Sequence, residues 1–332
     1  MWLNNQFQVF LPIRKYRAGS GPSLEEGRIV VAADTIFGAI CWSVSMLYGS
    51  NVCSEIVERF RVRRPSFLVS SAFPARVVGD GVVALVSFPS RGVLRDRVGA
   101  AGLENVDFKT AQAIEFVTRE GLDMVLRGEF DGLEVKDIGA LCLARADEVE
   151  LLPRFKVSKS FRNILDRAVY SSDVFRFSYV ELNRGCGLVF WLKLLDTSYE
   201  DIVFSAVRLV NEVGLGGERS IGFGCGEGDV RIFKTGGLGF GGGGSWMTLS
   251  PYVPTENELD LLLGGRPLSY SLVERTAFYP FGRFRYFCFG EGSVFPSLDS
   301  GDFYGRVVDI GGNVVRYGYA FGVGLGDLGF DC

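Results

Sequence analysis

The sequence predicts an α+β fold, on two observations. Helical periodicity is confined to a few stretches, and each is flanked by short apolar runs of strand character. The last third, from Trp246 onward, is rich in aromatic residues and leans toward strand. With 47% hydrophobic and 22% charged residues, the 332-residue chain is globular, and its length suits two packed domains or one large one.

The elements follow in order. Phe7 to Leu11 is apolar and extended, a first strand. A basic loop, Arg14-Lys15-Tyr16-Arg17, leads into Gly19-Ser20-Gly21-Pro22. Ile36, Ile40, Val44 and Leu47 recur at helical spacing, with Asp34 or Thr35 as the expected cap. Between Pro65 and Phe88 lie strand-like runs, Phe67 to Val69 and Val82 to Val86. A polar helix is expected over Thr110 to Arg127, and a strand over Leu141 to Leu151. Pro153 opens a polar loop lasting until about Ser172. Val174 to Leu182 and Leu188 to Leu194 read as a hairpin turned by Asn183-Arg184-Gly185. Tyr199 to Val213 is helical through Ile202, Val203, Ala206, Leu209 and Val210, a glycine-dense stretch runs from Gly214 to Gly228, and Val230 to Phe233 resumes as a strand. Two strand–helix–strand–strand units result. They fit a pair of ferredoxin-like (RRM-like) modules with insertions and a β-rich C-terminal region. The expected division is 1–150 for the first module, 151–245 for the second, with its basic loop and glycine-rich loop, and 246–332 for the region completing the fold.

Composition narrows the chemistry. The chain has no histidine, the residue that general acid–base catalysis at neutral pH uses most often. A Ser-His-Asp hydrolase, a histidine-dependent nuclease and a typical zinc hydrolase are excluded; carboxylates, Lys or Tyr could still serve, so catalysis is disfavoured rather than disproved, and no catalytic residue is assigned. Seven scattered cysteines (41, 53, 142, 186, 225, 288, 332) show no Cys-x-x-Cys spacing and read as core residues in a reducing cytosol. No metal site or cofactor is expected. The three carboxylates of Asp147-Glu148-Val149-Glu150 have nothing nearby to complete a two-metal site. No apolar run reaches the roughly 18 residues of a spanning helix, and the start lacks a signal-peptide pattern, so no membrane is expected and the location is cytoplasmic. The net charge is −4, which leaves any nucleic-acid contact to a local patch. Of the 35 basic residues 28 are arginine, whose planar fork suits phosphates and bases, although a GC-rich genome or a warm habitat is the better account of the bias.

Three segments are candidates for such a patch. Gly214 to Gly226 combines dense glycine with Arg219, Ser220 and Phe223. Gly216, Gly217, Gly222 and Gly224 would let backbone N–H groups approach a phosphate, Arg219 and Ser220 add donors, and Phe223 could stack on a base. The other reading is a plain helix-to-strand turn. Phe155 to Arg167 crowds Lys156, Lys159, Arg162 and Arg167 against one acid, Asp166, with Phe161 and Asn163 among them. It fits a backbone track or a solvated basic loop. Arg14, Lys15 and Arg17 offer the same choice at shorter length. A second glycine run, Gly236 to Gly244, has Gly-x-Gly-x-x-Gly spacing but no following helix, and is read as a turn. Tyr279 to Phe287 alternates aromatic and basic residues, as a partner-facing or an ordinary amphipathic strand does.

Taken in order, several segments resemble the RAMP superfamily, and more closely the fourth subunit of Csm complexes. Asp34-Thr35-Ile36-Phe37-Gly38-Ala39-Ile40 is similar to the family's segment opening the first helix. Arg162-Asn163-Ile164-Leu165-Asp166-Arg167 is similar to its central Asn-Arg-Ile-Asp-Arg-type segment, and Gly216 to Gly224 to its glycine-rich loop. Glu291 to Phe295 and Arg316 to Phe321 resemble its closing pattern. The chain departs from the family in having no histidine after the leading strand and in reversing the Asn-Arg order at Arg162-Asn163.

The resemblance implies two RRM-like modules with an inserted hairpin, and a type III-A CRISPR subunit that does not cut RNA. Such a subunit would hold the 5′ handle of the CRISPR RNA (crRNA) and bridge the large polymerase-like subunit to the backbone RAMP subunit. On that reading Arg219, Ser220 and the glycines contact handle phosphates, with Lys159, Arg162 and Arg167 alongside. Two other readings compete: a RAMP-type endoribonuclease that processes precursor crRNA, and a scaffold that touches only protein.

Overall fold

The computed structural model describes residues 5–18, 27–90, 92–166, 171–236, 244–264, 269–279, 282–298, 303–311 and 314–328. Strand β1 (Gln6–Leu11) is buried along nearly its whole length, which is why it reads as a continuous apolar run rather than an alternating one. A short strand β2 (Lys15–Tyr16) follows, and then helix α1 (Ala33–Tyr48). Ile36, Ile40 and Val44 form the buried stripe of α1, while Leu47, on the same spacing, is exposed. The N-cap is Ala32, not Asp34 or Thr35. Helix α2 (Ser50–Arg61) has no counterpart in the sequence reading and packs on α1 through Phe60, whose ring lies 4.7 Å from that of Phe37.

Strands β3 (Phe67–Val69), β4 (Phe73–Val78) and β5 (Gly81–Ser87) come next, then the short helices α3 (Val93–Ala100) and α4 (Phe108–Ala113). The helix expected over Thr110 to Arg127 is interrupted by strand β6 (Phe116–Thr118) and resumes as α5 (Arg119–Arg127). Phe116 and the β-branched Val117 and Thr118 are all buried in a sheet, and the Thr118 hydroxyl caps α5 by accepting from the Gly121 N–H at 3.1 Å. Strands β7 (Leu133–Asp137) and β8 (Leu141–Arg145) complete this half; β8 ends in a 3-10 turn, Ala146–Leu151, so the strand is shorter than expected. Within that turn Glu148 is buried and accepts the Thr118 hydroxyl at 2.8 Å, a structural role for one of the three carboxylates.

The polar segment read as a loop is strand β9 (Phe155–Asp166), which pairs along its full length with β10 (Ser171–Leu182), from Phe155 opposite Leu182 to Asp166 opposite Ser171. Among the described side chains of this ribbon, Phe155, Phe177, Val180 and Leu182 are buried. The rest lacks the alternation that marks a half-buried strand. The expected 174–194 hairpin is likewise corrected. After Leu182 the chain turns at Asn183 and enters β11 (Cys186–Leu194), but β11 pairs with β1, β3 and β4, while β10 pairs with β9 and β2. The main chain sets this divergence, since the Leu182 N–H bonds the Arg14 carbonyl at 2.8 Å.

Helix α6 (Glu200–Val213) matches its periodicity, burying Val203, Ala206, Val207 and Val210 against α1. Strand β12 (Arg231–Thr235) then pairs with β1. Sheet order among the described residues is β12-β1-β11-β4-β5-β6-β8-β7, with β3 also on β11. The two units read from the sequence therefore share one sheet, and residue 150 falls between strands of it.

The C-terminal third contains β13 (Ser245–Thr248), helix α7 (Glu256–Leu263), a hairpin of β14 (Leu272–Tyr279) and β15 (Gly282–Phe289), then β16 (Val294–Pro296), β17 (Val308–Asp309), β18 (Val315–Arg316) and β19 (Gly322–Gly326). It is β-rich as expected, with the capped helix α7 added. Strand β13 lies between β16 and β19, and Trp246 stacks on Tyr304 at 5.3 Å within an aromatic cluster. Phenols fasten this region to the first half. The Tyr319 hydroxyl donates to the Phe60 carbonyl at 2.7 Å, and that of Tyr317 accepts from the Val69 N–H at 3.0 Å. Asp34, expected as a helix cap, is instead buried in an ion pair with Arg275 of β14, and Tyr286 of β15 donates to the same carboxylate at 3.4 Å.

Candidate nucleic-acid interface

The basic segment at residues 14–17 and the glycine-rich loop are pressed together by main-chain bonds. Gly217 N–H donates to the Arg17 carbonyl at 3.0 Å, and Gly224 N–H to that of Lys15 at 2.7 Å. The approach is possible only without side chains. A Cβ at Gly216 would lie 2.4 Å from the Arg17 carbonyl oxygen, and one at Gly224 would lie 2.1 Å from that of Leu215. Gly222 N–H closes the small 3-10 turn Arg219–Ile221 by bonding the Arg219 carbonyl at 3.0 Å. The N–H groups of Gly217, Gly222 and Gly224 thus serve the loop's own geometry rather than a phosphate cradle. What the loop presents is the turn itself, with Arg219 and Ser220 exposed at its tip.

Each basic residue of the first segment has its own setting. Arg17 is engaged internally: its side chain is 14% exposed, bonds Glu218 at 3.3 Å and lies over the Phe177 ring at 5.7 Å. Arg14 pairs with Glu227 at 3.2 Å. Lys15 shares Glu181 with Lys156, at 3.4 and 3.1 Å. The bond from Lys156, followed by that from Lys15, holds the Glu181 carboxyl below its usual range. Tyr16 is wholly buried and donates to the Ile29 carbonyl at 2.5 Å; burial pushes its phenol well above the ordinary value, so it stays a protonated donor.

Strand register divides the remaining candidates between the two faces of the ribbon. Lys156 lies opposite Glu181, and this face, with Tyr179 and Phe177, meets the glycine loop. Phe223 packs edge-on against Tyr179 at 5.0 Å and Phe177 at 6.0 Å, so the loop's phenylalanine anchors it to the ribbon and is no free stacking platform. Lys159 and Phe161 belong to the other face, opposite Ser178 and Arg176. Phe161 is 63% exposed, with the Arg176 guanidinium 5.3 Å over its ring. Arg162, Asn163 and Asp166 hold register positions opposite Phe175, Val174 and Ser171, while Arg167 and most of the second glycine run lie outside the described residues.

Arg176 and Trp42 escaped the sequence reading. Arg176 meets Phe161 only through a pairing register that local sequence does not reveal. Trp42 lies off the Ile36–Ile40–Val44 stripe of α1, and a large apolar residue off the buried stripe was the available signal. The Arg219 guanidinium rests 5.7 Å over its indole. An open groove of about 640 Å³ runs there, lined by Trp42, Val213, Gly216, Gly217, Arg219 and Ser220. Among the described residues no group of His, Cys, Asp and Glu could hold a metal ion, and no helix is long and apolar enough to cross a membrane.

No family model matches the chain. Over 313 residues it is 27% identical to the CRISPR system Cms protein Csm4 of Mycobacterium tuberculosis, in strains H37Rv and CDC 1551, covering 90% of either protein. Its fold is similar to a chain of the Csm3-Csm4 subcomplex in the type III-A CRISPR-Cas interference complex, at a TM-score of 0.67 and 14% identity, over 96% of this chain and 98% of that one. It is also similar to a chain of the Csm1-Csm4 cassette in complex with AMPPNP, at 0.59 and 18% identity, over 96% and 97%. The resemblance carried by the motifs thus extends along nearly the whole length and into three dimensions: this chain is similar in sequence to Csm4 proteins of CRISPR systems and shares the fold of chains in the solved Csm3-Csm4 and Csm1-Csm4 assemblies.

Proposed function

We infer that this chain is the RNA-binding, non-catalytic subunit of a type III-A CRISPR effector complex, holding the 5′ handle of the crRNA and bridging the large polymerase-like subunit to a backbone RAMP subunit. The observation that carries the reading is the exposed turn bearing Arg219 and Ser220, set by main-chain bonds against the Lys15–Tyr16 strand, with Lys156 on the adjoining face of the ribbon and the Arg176–Phe161 pair on its other face. Exposed guanidinium, ammonium and hydroxyl groups beside aromatic rings are what a single-stranded RNA needs. The solved Csm3-Csm4 and Csm1-Csm4 assemblies support the two protein partners. The absence of histidine supports a holding rather than a cutting role.

Within this reading the strands β12-β1-β11-β4 with α1 and α6 form one ferredoxin-like module, in the chain order β-α-β-β-α-β. The C-terminal third completes the fold and faces a partner, and the complex works in the cytoplasm.

The test is an Arg219→Ala variant. With repeat-derived single-stranded RNA, the log–log salt dependence of binding should become shallower by about 0.7, the loss of one phosphate contact. Unchanged affinity and slope would remove Arg219 from the site.

A further inference from the structure

We propose that Trp42 is a nucleobase-stacking residue: an unpaired RNA base packs on the Trp42–Arg219 pair, while Ser220 and the edge of the Arg219 guanidinium hold the adjoining phosphate. The inference rests on the RNA-binding reading above and names a contact within that site.

Three features of the groove converge on it. First, the indole is accessible, 42% exposed on the outer face of α1. Second, the Arg219 guanidinium lies 5.7 Å from the centre of the indole ring, a cation–π pair that sets a positive charge beside the aromatic face. An aromatic face with a cation beside it suits a base, which stacks by its π-face whatever its identity. Third, the neighbouring wall is glycine backbone at Gly216 and Gly217, leaving room beside the rings in about 640 Å³. The acid in the groove, Glu218, is turned toward Arg17 with its side chain only 10% exposed. Phe223, the aromatic that the loop itself supplies, is held edge-on by Tyr179 and Phe177, so the stacking role falls to the ring across the groove.

Met46, Leu47 and Tyr48 are also exposed at the end of α1, so a protein partner is the competing occupant. The guanidinium on the indole and the hydroxyl beside it favour RNA, since an apolar protein contact would leave both polar groups to be desolvated.

The experiment titrates the full-length chain with repeat-derived single-stranded RNA, following tryptophan emission and the anisotropy of labelled RNA. Trp191 and Trp246 are buried and Trp2 lies outside the described residues, so the signal assigned to Trp42 is the part of the quenching that is lost in Trp42→Phe. Trp42→Ala should weaken binding about five- to a hundredfold, and Trp42→Tyr should retain most of the affinity. Removing one base from the RNA at the stacked position should cost the wild type the same factor and the Ala variant nothing more. Wild-type affinity in Trp42→Ala, with emission unmoved by RNA, overturns the proposal while leaving the RNA-binding reading intact. The same holds if the variant keeps RNA but loses capture of another protein chain. Failure of the wild type to bind RNA removes that reading and this contact with it. Thermal melting of each variant separates these outcomes from unfolding.

Discussion

Asp34→Ala is expected to destabilise the chain by about 3–5 kcal/mol, among the largest effects of any single substitution. The carboxylate lies in the first turn of α1 and Arg275 on β14, with side chains 2% and 7% exposed. Two donors of the guanidinium reach the two carboxylate oxygens, and the Tyr286 hydroxyl reaches one of them. Burial works against the Arg275 charge, but the Asp34 carboxylate offsets it and raises the guanidinium pKa above its ordinary value. Removing Asp34 leaves that charge buried without its counter-ion. The double variant Asp34→Ala/Arg275→Met should recover much of the loss, because an apolar pair of similar volume carries no desolvation cost. Urea denaturation of the single and double variants measures both. A single-variant loss below about 1 kcal/mol would mean that the pair does not join the two halves of the fold.

The second large effect distinguishes two glycines of one loop. Both Gly222 and Gly224 adopt positive φ, at 85° and 78°. A Cβ at Gly222 would meet nothing within 4 Å, whereas one at Gly224 would lie 2.1 Å from the Leu215 carbonyl oxygen and 2.8 Å from its nitrogen. Gly222→Ala should therefore cost only the left-handed backbone penalty, about 1–2 kcal/mol, and keep RNA affinity within a few-fold. Gly224→Ala must also force the two arms of the loop apart, breaking the Leu215 N–H bond to the Gly224 carbonyl at 3.0 Å and so disturbing the adjoining bond to the Lys15 carbonyl and the Arg219 turn. RNA affinity should fall by at least about tenfold. Equal affinities for the two variants would show that the loop's close approach to the Lys15–Tyr16 strand is irrelevant to binding.

The glycine loop also marks how far the sequence could be read. Its residues and its position between a helix and a strand were legible, because α6 carries a regular stripe through Val203, Ala206 and Val210. Its inner hydrogen bonds were not, since Gly217 and Gly224 bond carbonyls some 200 residues earlier in the chain. The ribbon of β9 and β10 shows the same limit. Phe155 to Asp166 has no regular apolar alternation, so it reads as a polar loop until its pairing with β10 is known. The apparent hairpin of β10 and β11 failed for the converse reason. Both strands are real and joined by a tight turn, but β11 is claimed by β1 and β4, which lie far away in sequence. Asp34 looked like a helix cap because its partner Arg275 lies 241 positions on. The family motifs survived these errors because they fix order along the chain rather than local conformation.

The central claim is that this chain holds crRNA within a multi-subunit complex. A tagged copy recovered from its native host, with the bound RNA sequenced and the bound proteins identified, tests it most directly. The predicted result is repeat-derived RNA sharing one 5′ end, together with a large polymerase-like subunit and a backbone subunit. Recovery of the chain with neither RNA nor those partners would contradict it.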